Sequence, residues 1–344
     1  MVSITFKPKQ VVKRLLAPLS PRALDVITKR YGLGETTGRM TLEGIGASYK
    51  ITRERVRQIE NFSLSVIKKS DAFKKEAPVF AELHKLIVAM GGVVCEEDFL
   101  MHISRDESIQ NHIYFLLVLG HEFSREREDE HFKHRWIVDD KTSMKVHDAL
   151  RKLYDKLSNE DLIPESEIMA GFLTHLKEVS DGYKNEEIVK RWLNLSKDIS
   201  KNPLGEWGKS KSHNVSARGM RDYAYLVIRK HGSPMHFTEV AKSIGEVFNR
   251  KAHVATTHNE LIKDDRFVLV GRGLYALKSW GYEKGVVKDV ITKILKKEGP
   301  LTKKEIIDRV LKERYVKENT VFVNLQDTKL FKKAKDGKYS LIEG

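Results

Sequence analysis

The sequence predicts a mainly α-helical protein with small β-hairpin wings, in which a helix-turn-helix precedes tandem winged-helix units. Apolar residues recur at spacings of three and four through most of the chain. An order of helix, helix, helix and hairpin is repeated at low identity. A chain of 344 residues is too long to fold around one small hydrophobic core. Its content of 40% hydrophobic and 32% charged residues excludes a disordered chain.

The charge is distributed unevenly along the chain. Residues 1–70 carry 14 Lys and Arg against 5 Asp and Glu, residues 71–205 carry 19 against 26, and residues 206–344 carry 29 against 17. Two basic ends indicate contact with a polyanion. The acidic middle indicates either a protein contact or a spacer, and solubility explains it equally well.

Several classes of protein are excluded by what the sequence lacks. The single cysteine, Cys95, excludes an intramolecular disulfide and a cysteine-based zinc site. No stretch approaches the roughly 18 apolar residues of a membrane span, and the start "MVSITFKPKQ" lacks the apolar core of a signal peptide. We therefore expect a cytoplasmic, nucleoid-associated protein with no membrane contact.

The N-terminal helix-turn-helix is predicted over residues 1–70. A helical pattern runs to Tyr31, a glycine-rich break follows in "YGLGETTGR", and a short helix is expected in 41–49. A turn at 50–52 then leads into a longer helix from Arg53. Two helices joined by a short turn form a helix-turn-helix.

Four repeated units are predicted beyond residue 70. The third winged helix (219–283) and the last winged helix (284–344) each have two helices separated by "SPM" or "PLT", then a third helix and a hairpin around glycine. The first winged helix (71–140) and the second (141–205) are weaker copies, the second with a truncated wing in "ISKNPLGEWG". Residues 206–218 are polar and Ser-rich, which predicts a linker.

The helix that starts at Arg53 has two contrasting faces. Val56, Ile59, Ser63 and Ile67 form a stripe that should face the preceding helix. The opposite face carries groups that read base edges or bind phosphate, with Arg55 to the side. The candidate DNA-binding residues are Thr52, at the start of the helix, and Arg53, Glu54, Arg55, Arg57, Gln58 and Asn61.

Residues 19–69 resemble region 4 of the primary-type bacterial sigma factors through "RYGL", "TLEGIG" and "TRERVRQIE". The resemblance implies that the second helix enters the major groove of the promoter −35 element, with double-stranded promoter-like DNA and core RNA polymerase as partners. It implies that Thr52 begins this helix, that Arg53, Glu54 and Gln58 contact bases, and that Arg55 and Arg57 lie near phosphates or base edges. Ala23, Gly44 and Phe62 depart from the family pattern.

Residues 219–282 resemble the HARE helix-turn-helix family through "HFTEVA", "THNELI", "RFVLVGRGLYAL" and "WGY". That resemblance implies association with nucleic acid or polymerase, without catalysis. The candidate contacts are Arg250, Lys251, His258 and Asn259 near the third helix and Arg272 at the wing tip, where "GRG" merely closing a hairpin is the alternative. In the last winged helix, Lys332, Lys333, Lys335 and Lys338 form a basic wing that could follow a nucleic-acid backbone or be simply solvated.

No catalytic, metal or cofactor site is predicted. His121, His131 and His134 lie in a charged hairpin without cysteine support, and "DTK" and "DGK" resemble nuclease motifs only in spacing. We therefore expect a sequence-specific DNA-binding transcription regulator that acts in transcription initiation and is not an enzyme. The alternative is an RNA polymerase accessory factor with little DNA specificity of its own.

Overall fold

The computed structural model describes residues 4–176, 181–183, 185–282, 287–313, 316–334 and 336–342. The helices of the first 200 residues are α1 (Pro8–Leu16), α2 (Pro21–Tyr31), α3 (Leu42–Tyr49), α4 (Arg53–Lys69), α5 (Asp71–Lys75), α6 (Ala77–Ala89), α7 (Glu96–Ile103), α8 (Glu107–Leu119), α9 (Asp140–Lys156), α10 (Glu165–Leu173) and α11 (Glu186–Leu193). Further along lie α12 (Met220–His231), α13 (Phe237–Phe248), α14 (Val254–Lys263), α15 (Val287–Glu298), α16 (Lys303–Glu313) and α17 (Glu318–Leu325).

The strands are short and lie between or after these helices. They are β1 (Val93–Cys95), β2 (Ser124–Glu126), β3 (Arg135–Ile137), β4 (Ile199–Lys201), β5 (Trp207–Lys209), β6 (Met235–His236), β7 (Phe267–Leu269), β8 (Leu274–Leu277), β9 (Leu301–Thr302), β10 (Phe331–Lys333) and β11 (Lys338–Leu341). This content confirms the predicted mainly α-helical fold with hairpin wings. The chain divides into an N-terminal unit (Met1–Ser200 with Trp207–Ser210) and a C-terminal unit (Lys201–Glu206 with Lys211–Gly344).

The helix-turn-helix is formed by α3 and α4, as the sequence predicts. Thr41 caps α3 by accepting a hydrogen bond from the backbone N–H of Gly44 at 3.0 Å, and Thr52 caps α4 by accepting one from Arg55 at 3.1 Å. Lys50 adopts the left-handed conformation at φ 53°, which ends α3 and turns the chain into α4. Val26, Ile45 and Val56 form the small core between α2, α3 and α4.

The helix-turn-helix and the first winged helix share one hydrophobic core. Leu15, Ile27 and Ile67 belong to the same buried cluster as Leu83 and Phe115. Helix α8 packs against α1 and α2. The predicted boundary at residue 70 therefore lies within a common core, because α3 is too short to cover the apolar sides of α1, α2 and α4 alone.

The winged-helix topology occurs four times. The three-stranded sheets have the orders β1-β3-β2, β6-β8-β7 and β9-β11-β10, each with its first strand next to the last. In the second winged helix, β4 pairs with β5, and an isolated bridge between Ile163 and Trp207 replaces the first strand. The repeated order of helices and hairpin thus corresponds to one topology; the boundaries between neighbouring units stay predictions.

The segment 206–218, predicted as a linker, is folded at both its start and its middle. Strand β5 begins at Trp207, which is 1% exposed and lies in the core of the second winged helix with Trp192 and Phe172. Further along, Asn214 and Val215 are buried. Its start belongs to the truncated wing predicted in "ISKNPLGEWG", whereas the burial of Asn214 and Val215 was not predicted, because the segment has no periodic apolar pattern.

Candidate nucleic-acid interface

Helix α4 exposes one continuous polar face. Val56, Ser63 and Ile67 are buried as predicted, and Ile59 is partly buried. The predicted DNA-binding residues of the helix are all exposed: Arg53, Glu54, Arg55, Arg57, Gln58 and Asn61. Thr52 at the N-cap is exposed as well. The fold thus brings these seven residues together on the solvent side of one helix.

Four of these side chains bind one another in the free protein. The Arg57 guanidinium donates to both carboxylate oxygens of Glu54, at 2.8 and 2.6 Å, and this pairing lowers the pKa of Glu54. Arg55 Nη1 donates to Gln58 Oε1 at 3.0 Å, so Arg55 leans towards the predicted reading face rather than away from it. Because these pairs are exposed, they hold the side chains weakly and exchange readily for other partners.

Arg53 and Asn61 are the unpaired members of this face. Within the described part of the chain, neither side chain makes a hydrogen bond or an ion pair. Their donors are consequently available without breaking an existing contact.

Glu60 is a structural residue of this site that the sequence reasoning missed. Its carboxylate is buried and accepts hydrogen bonds from Tyr31 Oη at 2.9 Å and from Arg30 Nε at 3.2 Å. Arg30 also donates from Nη1 to the backbone oxygen of Met40 at 3.1 Å. Glu60 therefore fixes α4 to α2 and to the chain entering α3. The available signal was its spacing of four from Val56, which places an acid beside the buried stripe.

The loop between α2 and α3 is held by α8. Asn111 Nδ2 donates to the backbone oxygens of Gly32 and Thr37, at 3.1 and 2.8 Å, while its Oδ1 accepts from Arg39 Nε at 2.7 Å. The Arg39 guanidinium lies 3.9 Å from the ring centre of Tyr114, a cation–π distance. Helix α8 thus anchors the segment that precedes the helix-turn-helix.

This arrangement removes α8 from any groove-binding role. In winged-helix proteins the third helix is the one that enters the major groove. Here α8 buries Asn111, Ile113, Phe115 and Leu116, and it packs on α1 and α2. The first winged helix therefore serves as a scaffold for the helix-turn-helix.

An apolar groove of about 530 Å³ opens beside this scaffold. Leu16, Leu24 and Leu33 line it, together with Lys9 and Lys13 from α1. Leu24 remains 38% exposed. The groove thus combines an apolar floor with a positively charged rim.

The candidate residues of the third winged helix occupy different environments. Arg250, Lys251, Asn259 and Arg272 are exposed, with Arg272 at the tip of the β7–β8 hairpin. His258 is partly buried and stacks on Phe237, with ring centres 4.2 Å apart. Much of the surface of the His258 ring is thus already used in packing.

The wing tip of this unit is tightly built. Gly273 has φ +69°, and a Cβ atom there would lie 2.4 Å from His236 Nε2. Glycine is therefore required at this position both for its backbone conformation and for the close approach of His236.

In the last winged helix, Lys332, Lys333 and Lys338 are exposed on the β10–β11 hairpin, and Lys335 lies outside the described residues. The two aspartates of the Asp-x-Lys motifs have structural partners. Asp327 pairs with Lys288, which lowers the pKa of that carboxyl, and Asp336 Oδ1 accepts from the backbone N–H of Lys338 at 3.1 Å. Both aspartates are thus engaged in local contacts.

The three histidines of the charged hairpin have separate surroundings. His131 Nδ1 lies 2.6 Å from Asp198, His134 lies 4.0 Å from Glu128, and His121 packs edge-on to Phe73. Across the described ranges, no group of three or more His, Cys, Asp or Glu side chains is placed to hold a metal ion. Among the described helices, none has both the length and the apolar character that crossing a membrane requires.

Comparison with known proteins matches residues 15–69 to the family described as "Sigma-70, region 4". RNA polymerase sigma factor SigA of Nostoc sp. is 51% identical over 53 residues, which are 15% of this chain and 13% of that protein. SigA of Clostridium acetobutylicum is 37% identical over 67 residues, 20% of this chain and 18% of that protein. RpoD of Neisseria gonorrhoeae is 43% identical over 51 residues, 15% of this chain and 8% of that protein.

The family match defines one domain of the chain. Residues 15–69 form a sigma-70 region 4 domain; in sigma factors this domain is a DNA-binding module that recognises the −35 element in transcription initiation. The chain covers about an eighth of the length of the first of these relatives (13%).

Proposed function

We propose that this protein is a sequence-specific DNA-binding transcription regulator that uses α4 to read a promoter −35-like element. The observation that carries the proposal is the exposed face of α4 within a region 4 domain. The wider role in initiation, a bacterial nucleoid setting and the absence of catalysis are parts of the same proposal.

Each residue of the face has a proposed task. Arg53 and Gln58 read guanine and adenine edges, and Glu54 accepts a hydrogen bond from the cytosine amino group. Arg55 and Arg57 move from their partners within the helix to phosphates or base edges, which costs little because both pairs are exposed. Asn61 extends the face by one turn, and Thr52 keeps the first turn of α4 in place.

The third winged helix is proposed as an auxiliary contact to nucleic acid or polymerase. Its resemblance to the HARE family and the exposure of Arg250, Lys251, Asn259 and Arg272 support this role. His258 contributes through the edge of its ring, since Phe237 covers one face.

The test is selection of bound sequences from a random duplex pool by the full-length protein. Arg53→Ala with Gln58→Ala should abolish the preferred motif, because each good base contact contributes about 1–3 kcal/mol of discrimination. Lys69→Ala, an exposed change at the far end of α4, is the matched control and should select the wild-type motif. A double variant that still selects the wild-type motif would show that α4 does not read the DNA.

A second candidate function is that of an accessory factor that docks on core RNA polymerase and has little DNA specificity. The apolar groove with Leu24 and its rim of Lys9 and Lys13 favours it. The test is retention of the protein on immobilised core polymerase. Retention by the wild type, its loss in Leu24→Glu and failure of the protein to select a DNA motif would together establish this candidate over the first.

A further inference from the structure

The two C-terminal winged helices have hairpins in the same register, so their positions correspond one to one. The pairs Met235–Tyr275 and Phe267–Leu277 in the third winged helix correspond to Leu301–Tyr339 and Phe331–Leu341 in the last. Side chains at equivalent positions therefore point to the same face of each hairpin.

In the third winged helix, the outer face of the hairpin is apolar and covered. Val268, Val270 and Ala276 are buried there. Trp280 and Tyr282, which follow β8, pack against them. This face is thus part of the protein interior.

The corresponding face of the last winged helix is open and basic. Lys332 stands at the position of Val268, and it is paired in register with Ser340. Lys338 stands at the position of Leu274, two residues before Ser340 and therefore on the same face. On the other face, exposed Lys333 lies beyond the core, 5.9 Å from the ring centre of Tyr339. The face that is apolar and covered in the third winged helix thus carries two cations in the last, Lys332 and Lys338, and a third cation, Lys333, lies on the opposite face.

These cations have no salt-bridge partner among the described residues. Within the described chain, Lys332, Lys333 and Lys338 form no ion pair. The carboxylates nearest to the hairpin in sequence and contact are already engaged: Asp336 binds the backbone N–H of Lys338, and Glu305 accepts from Thr302 N and Oγ1 at 2.8 and 2.7 Å.

Like charges that share a hairpin repel one another, so an external anion stabilises the cluster. A requirement for solubility does not explain the lysines, because neutral polar residues such as Ser340 would satisfy it.

The first turn of α16 extends the same positive region. Lys304 is exposed and without an ion-pair partner among the described residues, although a helix N-terminus disfavours cations. Strand β9, which ends one residue before α16, pairs with β11 at Lys338. Lys304 thus follows the strand that is hydrogen-bonded to the one that carries Lys338.

We propose that the β10–β11 hairpin of the last winged helix binds the phosphate backbone of double-stranded DNA without reading its sequence. Residues 287–342 carry 15 Lys and Arg against 8 Asp and Glu, which suits a polyanion. Helix α17, by contrast, contains no Lys or Arg and exposes Glu318 and Val323, so base reading by this unit is not supported. The contact is independent of the proposed reading by α4.

The experiment measures how the affinity of the full-length protein for a duplex depends on salt. Replacing Lys332, Lys333 and Lys338 by alanine should reduce the slope of log K against log salt by about two to three, since each phosphate contact contributes about 0.9. The reduction in slope should be equal on promoter-like and scrambled duplexes. Replacing the same three lysines by arginine should restore the wild-type slope.

The matched control replaces Lys296, Lys297 and Lys312, three exposed lysines of α15 and α16, and should leave the slope nearly unchanged. An unchanged slope in the hairpin variant, or an equal loss in the control, would overturn the proposal. A reduction in the slope of the hairpin variant on duplex RNA, without one on duplex DNA, would also overturn the proposal. A failure of α4 to select a motif leaves the slope measurement intact, so the two proposals fail separately.

Discussion

At the scale of the residue, Glu60 and His147 are two of the buried ionisable side chains of the N-terminal unit, and their surroundings differ. Glu60 accepts hydrogen bonds from Tyr31 and Arg30, so its charge is compensated inside the protein. His147 instead stacks on Phe132 with ring centres 4.3 Å apart. Arg135 and Arg151 lie close to its ring. Glu60 therefore holds elements together, whereas the surroundings of His147 favour the neutral imidazole.

His147 should make the stability of the N-terminal unit depend on pH. Burial, with Arg135 and Arg151 nearby, lowers the pKa of His147 from 6.5 to about 4. As pH falls below 6.5 the unfolded chain takes up this proton first, so the free energy of unfolding should decrease by roughly 2–3 kcal/mol between pH 6.5 and pH 4. Urea unfolding at a series of pH values measures this decrease in the free energy of unfolding.

The comparison variant is His147→Gln, which has no group that titrates in this range. The difference in unfolding free energy between wild type and variant should change across pH 4 to 6.5 and be constant above pH 7.5. Parallel curves throughout would show that His147 has the same pKa in the folded and the unfolded protein.

At the scale of the element, the sequence predicted the helix-turn-helix because capping residues and a left-handed turn mark its ends locally. The polar face of α4 was also predictable, since the buried positions of one helix fix the opposite face. The Arg55–Gln58 contact and the buried carboxylate of Glu60 were not, because each depends on side-chain rotamers or on a partner 29 or 30 positions away. The bridge from Trp207 in β5 to Ile163 was not predictable for a similar reason, because the two residues lie far apart in the sequence.

Asn111→Ala should loosen the segment between α2 and α3. The substitution leaves the backbone oxygens of Gly32 and Thr37 without their donor, and it frees Arg39. We expect the free energy of unfolding to fall by about 1–3 kcal/mol, the cost of leaving buried polar groups unsatisfied. Amide hydrogen exchange should increase in residues 33–40 more than in α6.

Asn61→Ala, an exposed amide without a partner in the described chain, is the control for this measurement. It should leave both stability and exchange near wild type. Equal exchange in residues 33–40 of wild type and Asn111→Ala would show that α8 does not restrain this segment.

At the scale of the whole molecule, the chain uses one winged-helix topology in several ways. The first copy directs its third helix inwards against α1 and α2. The third copy covers its hairpin with Trp280, and the last leaves the hairpin open with lysines. The sequence predicted the repeats and the basic hairpin of the last copy, but not the inward third helix of the first, because its packing partners α1 and α2 lie outside that repeat.

Residues 1–70 alone should not form a stable domain. Leu15, Ile27 and Ile67 would lose the partners that α6 and α8 provide, which exposes a large apolar surface. A fragment of residues 1–210 should unfold cooperatively on heating, whereas the fragment 1–70 should show a much lower or absent transition by circular dichroism. Equal transition temperatures for the two fragments would contradict the shared core.

The burial of α8 against α1 and α2 also limits how this protein could be redesigned or recombined. Exchange of the entire region 4 segment with that of another protein would transplant a part whose apolar sides were shaped for different neighbours. Retargeting is better attempted by grafting only the outward residues of α4 between Arg53 and Asn61, which contribute little to packing. The same logic restricts natural shuffling: specificity here can drift by point substitution more easily than by exchange of whole domains.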